Sequence, residues 1–253
     1  MTASTIMKRL RAGATPEKAV VLARFFKTGP GQYGEGDRFL GVMVPGQRQI
    51  AKESRDLPLV EVEKLLARSY HEARLTGFLV LTYAFERADA GRRREIYGFT
   101  LAHRAAMNNW DLVDVIAPVI IGGWLLDRPV DRKLLRTFAK SADLWERRIA
   151  IVSTLAFIRA GEFADTLAIS EMLLGDRHDL IHKATGWMLR EAGKRDVAVL
   201  RGFLDEHAAR MPRTALRYAI ERLPEAERKA WMAVPRADQP RAAHRKTRPM
   251  LRP

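Results

Sequence analysis

A helical pattern centred on tryptophan recurs along the chain. Three segments each combine a tryptophan with charged neighbours and an apolar continuation: NNWDLVDVIAP, DLWERRIAIVSTLAFI and DLIHKATGWMLREAG. Their tryptophans, Trp110, Trp145 and Trp187, are separated by 35 and 42 residues, which brackets the period of repeats built from helical hairpins. Consecutive hairpins of this kind stack into a curved solenoid with a concave face. The repeat therefore predicts an all-α solenoid of antiparallel helix pairs.

Helix signals occur along the whole chain, whereas sustained alternation of apolar and polar residues, which marks strands, is not found. Thr15 followed by Pro16 predicts an N-cap with proline in the first helical turn. Further prolines precede helical patterns, and three glycines are expected to stop helices. These residues are Pro45, Pro58, Pro212 and Pro224, and Gly161, Gly175 and Gly193. The expected helices have roughly 10 to 18 residues and short connections, as in antiparallel pairs.

The composition is strongly basic. Lys and Arg number 44 against 30 Asp and Glu, which gives a formal net charge of +14. This surplus predicts a polyanionic partner, with nucleic acid ahead of an acidic membrane surface. Part of the charge lies in a basic tail with three prolines, residues 236–253, which we expect to be disordered and to add non-specific affinity for phosphates. The remainder, residues 1–235, is expected to form one repeat domain.

The sequence also argues against several classes of protein. Cysteine is absent, so disulfides, a thiolate nucleophile and cysteine-ligated zinc are excluded, and a reducing interior is the natural compartment. The N-terminus carries no apolar run typical of a secretory signal. The longest apolar stretch, VIAPVIIGGWLL, is too short to cross a bilayer and is expected to be core. We therefore expect a protein of the bacterial cytosol or nucleoid.

Two motifs admit a ligand-binding interpretation that their context argues against. GPGQYG, residues 29–34, matches the glycine pattern of dinucleotide-binding loops, but a helical pattern rather than a strand precedes it. A structured connection between helices explains it better. His178 and His182 could share a metal on one helix face, but a third ligand and the glutamate of the HExxH pattern are missing. We predict neither a metal nor a cofactor.

Each tryptophan helix carries a charged residue three or four positions after the tryptophan, and therefore on the same helix face. The pairs are Trp110 with Asp114, Trp145 with Arg148, and Trp187 with Arg190. These side chains would converge if the repeats stack in register. An arginine beside an indole offers charge for a phosphate and a flat surface for a sugar or a base edge. A salt bridge between Asp114 and Arg148 that only joins adjacent repeats is the structural alternative.

Four segments resemble the AlkD-like DNA alkylation-repair family, in order and with compatible spacing. They are FLGVMVP at 39–45, NNWDLVD at 108–114, LWERRIAI at 144–151 and IHKATGWMLRE at 181–191. The resemblance covers about residues 15–233, and the last segment is the most specific. It implies a right-handed solenoid of HEAT-like repeats whose concave basic face binds DNA. It also implies a glycosylase for N3- or N7-alkylated purines, which are cationic.

The resemblance assigns roles residue by residue. The expected catalytic residues are Asp114, Trp110, Trp187 and Arg148. The expected DNA contacts are Arg190, Trp145, Lys194 and Arg147. We expect no Schiff-base lysine within the matching motifs, so the enzyme should be monofunctional and leave the strand uncut.

The expected partner is double-stranded DNA that contains alkylated bases, and the chain is expected to act as a monomer. Two other functions fit the composition. The net charge of +14 suits a non-catalytic protein that binds duplex or branched DNA. A protein-interaction scaffold is a common use of helical solenoids, although a basic concave face argues against it. Base release from methylated DNA separates the first function from both others.

Overall fold

The computed structural model describes residues 1–236 as an all-α protein. The predicted tail, 236–253, lies outside the described residues apart from Arg236. The α-helices are α1 (Ala3–Ala12), α2 (Pro16–Phe25), α3 (Val44–Glu53), α4 (Leu59–Leu66), α5 (His71–Arg87), α6 (Ala90–Ala102), α7 (Trp110–Ile116), α8 (Gly123–Leu125), α9 (Lys133–Ala139), α10 (Leu144–Ser153), α11 (Leu155–Arg159), α12 (Ala164–Met172), α13 (Asp179–Arg195), α14 (Val197–His207), α15 (Arg213–Ala219) and α16 (Glu225–Ala233). Within 1–236 the only β-type pairing is an isolated bridge between Arg38 and Tyr70.

The predicted helix starts are confirmed. Thr15 is the N-cap of α2 and Pro16 its first residue, although the Thr15 side chain makes no capping hydrogen bond. Pro58, Pro212 and Pro224 occupy the N-cap positions of α4, α15 and α16. Proline fits these positions because the first N–H groups of a helix have no partner within it.

One predicted helix stop is wrong. Gly161 follows α11 with φ of 82° and ends it as expected, but α13 continues through Gly193 to Arg195. A Cβ on Gly193 would lie 2.5 Å from Cδ2 of Leu200 on α14. Gly193 therefore allows α13 and α14 to approach each other closely and does not end α13. Packing between the helices outweighs the low helix propensity of glycine.

The two longest helices pass through the core. α5 and α13 each have 17 residues, and α5 is buried nearly all round because neighbours cover it on every side. One buried cluster extends from α1 to α13, and a second lies at the C-terminal end of the described chain around Leu200, Phe203 and Leu216. α13 contributes to both clusters, which ties the last helices to the rest of the solenoid.

The apolar stretch VIAPVIIGGWLL is core, as predicted. It forms the end of α7, a π-helical segment (Ala117–Gly122) and α8, with Ile116, Ile120 and Ile121 fully buried. None of the helices in the described part of the chain combines the length and the apolarity needed to cross a bilayer.

The glycine-rich segment is a structured connection, as expected. It runs from α2 to α3, and the carboxylate of buried Glu72 on α5 accepts the N–H groups of Leu40, Gly41 and Val42 at 2.8 to 3.2 Å. A Cβ on Gly34 would lie 2.3 Å from the carbonyl oxygen of Phe26, so the chain folds back on itself there. These contacts fix the loop against α5 and the end of α2.

Candidate active site

A cleft of about 510 Å³ opens between α7, α10 and α13. Its lining residues are Phe25, Tyr33, Trp110, Asp114, Arg148, Leu180, Lys183, Trp187, Arg190 and Tyr218. All four residues predicted to be catalytic are among them. The lining holds three cations and one carboxylate, so the cleft is basic with a single acidic group inside it.

The first wall of the cleft is the start of α7. The side chain of Asn109 caps this helix by accepting the N–H of Trp110 at 2.8 Å. The Trp110 ring stacks on Phe26, with centroids 5.3 Å apart, and meets Phe25 edge-on at 5.8 Å. Asp114 follows one turn later on the same face. Local helix geometry thus places an indole beside a carboxylate, and the aromatic contacts hold the indole in place.

Asp114 is held by Arg148 from the next repeat. Nε and Nη2 of Arg148 donate to Oδ1 and Oδ2 of Asp114, each at 2.8 Å, which is the bidentate geometry favoured by guanidinium and carboxylate. Nη1 of Arg148 donates to the carbonyl oxygen of Leu180 at 2.6 Å. The Asp114 side chain is 18% exposed and that of Arg148 6%. Both side chains line the cleft, and the carboxylate is the more exposed of the two.

The ionisation of Asp114 reflects opposing influences. Burial raises the pKa of Asp114 above its ordinary value, and the charge of nearby Asp111 raises it further. The Arg148 guanidinium acts in the opposite direction, through its charge and its hydrogen bonds. The predicted alternative, a salt bridge between repeats, is thus present in the structure. It does not exclude a chemical role, because an arginine that accompanies a buried carboxylate also favours its charged form.

The opposite wall comes from α13 and α15. Trp187 and Arg190 lie on the cleft side of α13, as their spacing predicted. Arg190 forms ion pairs with Glu191, at 3.6 Å, and with Glu221. Lys183 pairs with Asp179 at 2.7 Å. Both cations border the cleft, where each can reach a phosphate by exchanging its present partner for it.

Three predicted DNA contacts lie outside the cleft lining. Trp145 meets Tyr33 edge-on at 6.2 Å and borders a separate recess with Arg104. Arg147 donates to Asp176 at 2.6 Å and to two backbone carbonyls. Lys194 bonds Glu191 at 2.6 Å, beside a recess behind Trp187. Their role in DNA binding stays a prediction, and for Arg147 the guanidinium is already engaged.

Several lining residues were not predicted. Phe25 and Tyr33 come from α2 and the glycine-rich loop, and Tyr218 comes from α15. The sequence analysis overlooked Lys183, which lies in IHKATGWMLRE and lines the cleft; that no lysine of the motifs forms a Schiff base stays a prediction. Its hydrogen bond to Asp179 raises the pKa of Lys183, which keeps the amine protonated and weakly nucleophilic. Exposed aromatics on a short helix, such as Phe25, were the signal available in the sequence.

The histidine pair makes contacts with the backbone. Nδ1 of His178 accepts the N–H of Leu180 at 3.2 Å, and Nε2 of His182 lies 2.6 Å from the carbonyl oxygen of Asp176. Together they secure the first turn of α13. Among residues 1–236, no group of three or more His, Cys, Asp or Glu side chains is arranged to hold a metal ion.

The fold and the cleft define a class of protein: an all-α repeat protein that holds a carboxylate and a guanidinium between indole rings in a basic cleft. This chain belongs to the DNA alkylation repair enzyme family, whose model matches residues 6–223. That match confirms the resemblance drawn from the four sequence segments. Membership of this family also places the protein in DNA alkylation repair, with DNA as its partner.

A solved structure confirms the all-α solenoid fold. The predicted DNA alkylation repair enzyme from Enterococcus faecalis superposes with a TM-score of 0.66 at 18% sequence identity. The similarity covers 84% of this chain and 97% of that chain. No curated protein matches the sequence.

Proposed function

We propose that this protein is a monofunctional DNA glycosylase that releases cationic alkylated purines, such as 7-methylguanine and 3-methyladenine, from duplex DNA. The observation that carries the proposal is the placement of Asp114. It is the one carboxylate that lines the described cleft, it is oriented by Arg148, and it lies in a cleft that Trp110 and Trp187 also line. A carboxylate on a surface that must accept a polyanion opposes binding, so its presence favours a chemical role.

The leaving base explains why one carboxylate suffices. An alkylated purine already carries a positive charge, so it can depart without protonation by a general acid. The bond between C1′ and the base nitrogen breaks, and its electron pair leaves with the base, which becomes neutral. The sugar then carries the positive charge as an oxocarbenium-like species. A negative charge fixed near C1′ stabilises that species more than it stabilises the substrate, which is the requirement for catalysis.

Asp114 can also position the attacking water. Arg148 occupies one side of the carboxylate with two hydrogen bonds, and a carboxylate has about four lone-pair sites. Because Asp114 lines the cleft, a remaining site can accept a hydrogen bond from water. Water oxygen then bonds to C1′, and one of its protons passes to the carboxylate and on to solvent. The products are the free base and an abasic sugar.

The aromatic side chains recognise the two cations of the reaction. An indole face attracts a positive charge within about 6 Å of the ring centroid. Trp110 and Trp187 line the cleft together with Tyr33 and Tyr218, so both the charged base and the developing sugar cation meet π-surfaces. Arg190 and Lys183 at the margin supply charge for the phosphates on either side of the lesion.

A non-catalytic DNA-binding module is the second candidate. The net charge of +14 favours it as strongly as it favours the glycosylase. It accounts for Asp114 only as the salt-bridge partner of Arg148, and it gives no reason for placing that carboxylate in a cleft that Trp110 and Trp187 also line.

The test is release of base from methylated duplex DNA. We expect free 7-methylguanine or 3-methyladenine in the supernatant, detected by chromatography, and an intact strand that breaks only after alkali treatment. An enzyme that shifts methylated duplex in a binding assay and releases no base above spontaneous depurination would be the non-catalytic module instead.

A further inference from the structure

A buried group of four charged side chains lies behind the Trp110 wall of the cleft. It consists of His71 and Arg74 on α5, Asp37 on the glycine-rich loop and Asp111 on α7, and we refer to it as the His71 cluster. Nδ1 of His71 lies 2.9 Å from Oδ2 of Asp37, and Nε2 lies 2.8 Å from Oδ2 of Asp111. Arg74 forms a salt bridge with Asp37. The His71 side chain is 2% exposed.

The contacts define the charge state of His71. Both ring nitrogens face carboxylate oxygens, which only accept hydrogen bonds when ionised, so both nitrogens must donate. Both donate only in the imidazolium form. The two carboxylates accordingly raise the pKa of His71 to about 9 against the opposing effect of burial. With His71 and Arg74 positive and Asp37 and Asp111 negative, the cluster has no net charge, which is how buried charges are tolerated.

The cluster connects three parts of the molecule that form the cleft. Asp37 belongs to the loop that delivers Tyr33, and Asp111 follows Trp110 directly at the start of α7. The His71 ring also packs against Phe26 and Phe39, with centroids 4.9 and 4.8 Å away, and these two phenyl rings stack on each other at 5.2 Å. Phe26 in turn stacks on Trp110. His71 therefore supports Trp110 in two ways, through its ion pair with Asp111 and through its packing against Phe26.

We propose that His71 is a positioning residue for the cleft: its imidazolium fixes Asp111 at the start of α7 and cancels the Asp111 charge that would otherwise act on Asp114. The consequence for base release rests on the proposed glycosylase function. The electrostatic coupling between His71, Asp111 and Asp114 does not depend on that function.

Helix geometry carries the coupling. Asp111 and Asp114 are three residues apart on α7, so their Cβ atoms are neighbours at about 5 to 6 Å. Oδ1 of Asp111 is buried and has no hydrogen-bond partner in the described chain, so His71 is the group that compensates the charge of this carboxylate. Two carboxylates at this separation in a partly buried site disfavour ionising together. Loss of the His71 charge would therefore favour protonated Asp114.

The other charges around Asp114 do not replace this contribution. Arg148 on α10 is already bonded to Asp114, and Lys183 and Arg190 on α13 are paired with acidic residues of their own. Around His71, Arg74 is directed at Asp37, and Glu72, next to His71 on α5, is turned toward the loop amides. Tyr33 and Tyr218 complete the titratable groups of the cleft lining.

The experiment compares the ionisation of Asp114 in four proteins: wild type, His71→Gln, Asp111→Asn and the double variant. The γ-carboxyl ¹³C signal of Asp114 is followed against pH by NMR without DNA, and is assigned by its disappearance in Asp114→Asn. We expect the His71→Gln midpoint to rise by roughly 0.5 to 1 pH unit, the scale of one nearby uncompensated charge. Asp111→Asn should lower the midpoint, and the double variant should return close to wild type.

Asp37→Asn is the matched control. It removes the other carboxylate that bonds His71, so it loosens the same cluster, but Asp37 is on the loop rather than on α7. Its expected result is a lower melting temperature with an unchanged Asp114 midpoint. A merely structural role for His71 would instead make all variants lose stability without opposite movements of the midpoint. Equal midpoints in His71→Gln and wild type, with both folded, overturn the proposal.

The same four proteins separate this inference from the proposed function. The acid side of the pH profile for base release should follow the NMR midpoints. If the midpoints move as expected and no variant releases base, the coupling stands and the glycosylase fails. If base is released and the midpoints do not move, the glycosylase stands and the role of His71 fails.

Discussion

Arg148 holds Asp114 through two hydrogen bonds of 2.8 Å each, across the junction of two successive helical repeats. The pair is thus both a structural link and the anionic centre of the cleft. Removing one partner of a buried ion pair leaves the other uncompensated, which is costly for stability. Substitutions here must therefore be compared with an equivalent pair elsewhere before they are interpreted as chemistry.

Asp114→Asn should reduce single-turnover release of 7-methylguanine by about 10²-fold or more, the scale for loss of one well-placed electrostatic group. Duplex affinity should stay equal or increase, since a negative charge leaves the DNA-facing surface. Rates are measured by quench-flow or manual quench at a temperature where the variant is fully folded.

The matched control for that variant is Asp165→Asn. Asp165 accepts a hydrogen bond from buried Arg132 at 3.0 Å and its side chain is 14% exposed, so the two ion pairs are similarly buried. The Asp165 pair lies outside the cleft lining, and Arg132 is also paired with Glu162 at 2.7 Å, so a smaller loss of stability is expected. It should lower the melting temperature and leave the rate intact. An Asp114→Asn protein that loses stability yet releases base at the wild-type rate would reduce the Asp114 pair to a structural link.

The rate should also depend on pH through Asp114. The carboxylate acts as an anion, so base release should fall as pH falls through its pKa. Because burial raises that pKa, the acid limb should lie at higher pH than for an ordinary aspartate, whose pKa is about 3.9. Single-turnover rates corrected for spontaneous depurination give the midpoint. A rate that stays constant down to pH 4 in folded enzyme would contradict an anionic role.

The sequence was sufficient for the part of the site that a single helix determines. Trp110 and Asp114, and likewise Trp187 and Arg190, are three or four residues apart, and the structure places both pairs in the cleft. Trp145 has the same spacing from Arg148 but lies outside the lining. Residues three apart differ by about 60° around a helix, so two side chains on the same helix face do not always enter the same cavity. Tertiary packing decides which of them lines the cleft.

The remaining features depend on contacts between distant positions. His71 meets Asp37 and Asp111 across 34 and 40 residues of sequence, and Tyr33 reaches the cleft from a loop whose path is fixed by Glu72. No periodicity encodes such contacts. The prediction that Gly193 stops a helix failed for a related reason. Glycine is needed there because Leu200 on α14 comes close to it, and not because α13 ends.

Stability should decline in mildly alkaline solution because of His71. Its pKa is raised from 6.5 to about 9 in the folded protein, so the stabilisation is complete below pH 6.5 and is lost as pH rises through about 9. The amount is on the order of 3 kcal/mol. Denaturant unfolding between pH 6 and 10 measures it. In His71→Gln the decline over this range should be largely removed, and an unchanged decline would assign it to other groups.

Lys183 should not form a covalent intermediate with the sugar. Its hydrogen bond to Asp179 keeps the amine protonated, and a Schiff base requires the free amine. Borohydride added during turnover should therefore trap no protein–DNA adduct, and Lys183→Ala should still release base and leave the strand intact. An adduct that forms in wild type and disappears in Lys183→Ala would make the enzyme bifunctional.

Binding to undamaged duplex should be mainly electrostatic. The logarithm of the affinity is then expected to fall linearly with the logarithm of the salt concentration, with a slope set by the number of phosphates contacted. Arg190→Ala should make this slope shallower by about 1, the effect of losing one phosphate contact.

Arg201→Ala is the matched control, because Arg201 is also paired with a glutamate, Glu227 at 2.9 Å, but it lies on α14 and not in the cleft lining. It should weaken binding little and keep the wild-type slope. Fluorescence anisotropy at four or more salt concentrations provides the slopes. Equal slopes in wild type and Arg190→Ala would contradict the prediction, and would mean that Arg190 stays paired with Glu221 when DNA binds. The phosphate contact would then belong to another cation of the cleft, and Lys183 would be tested next.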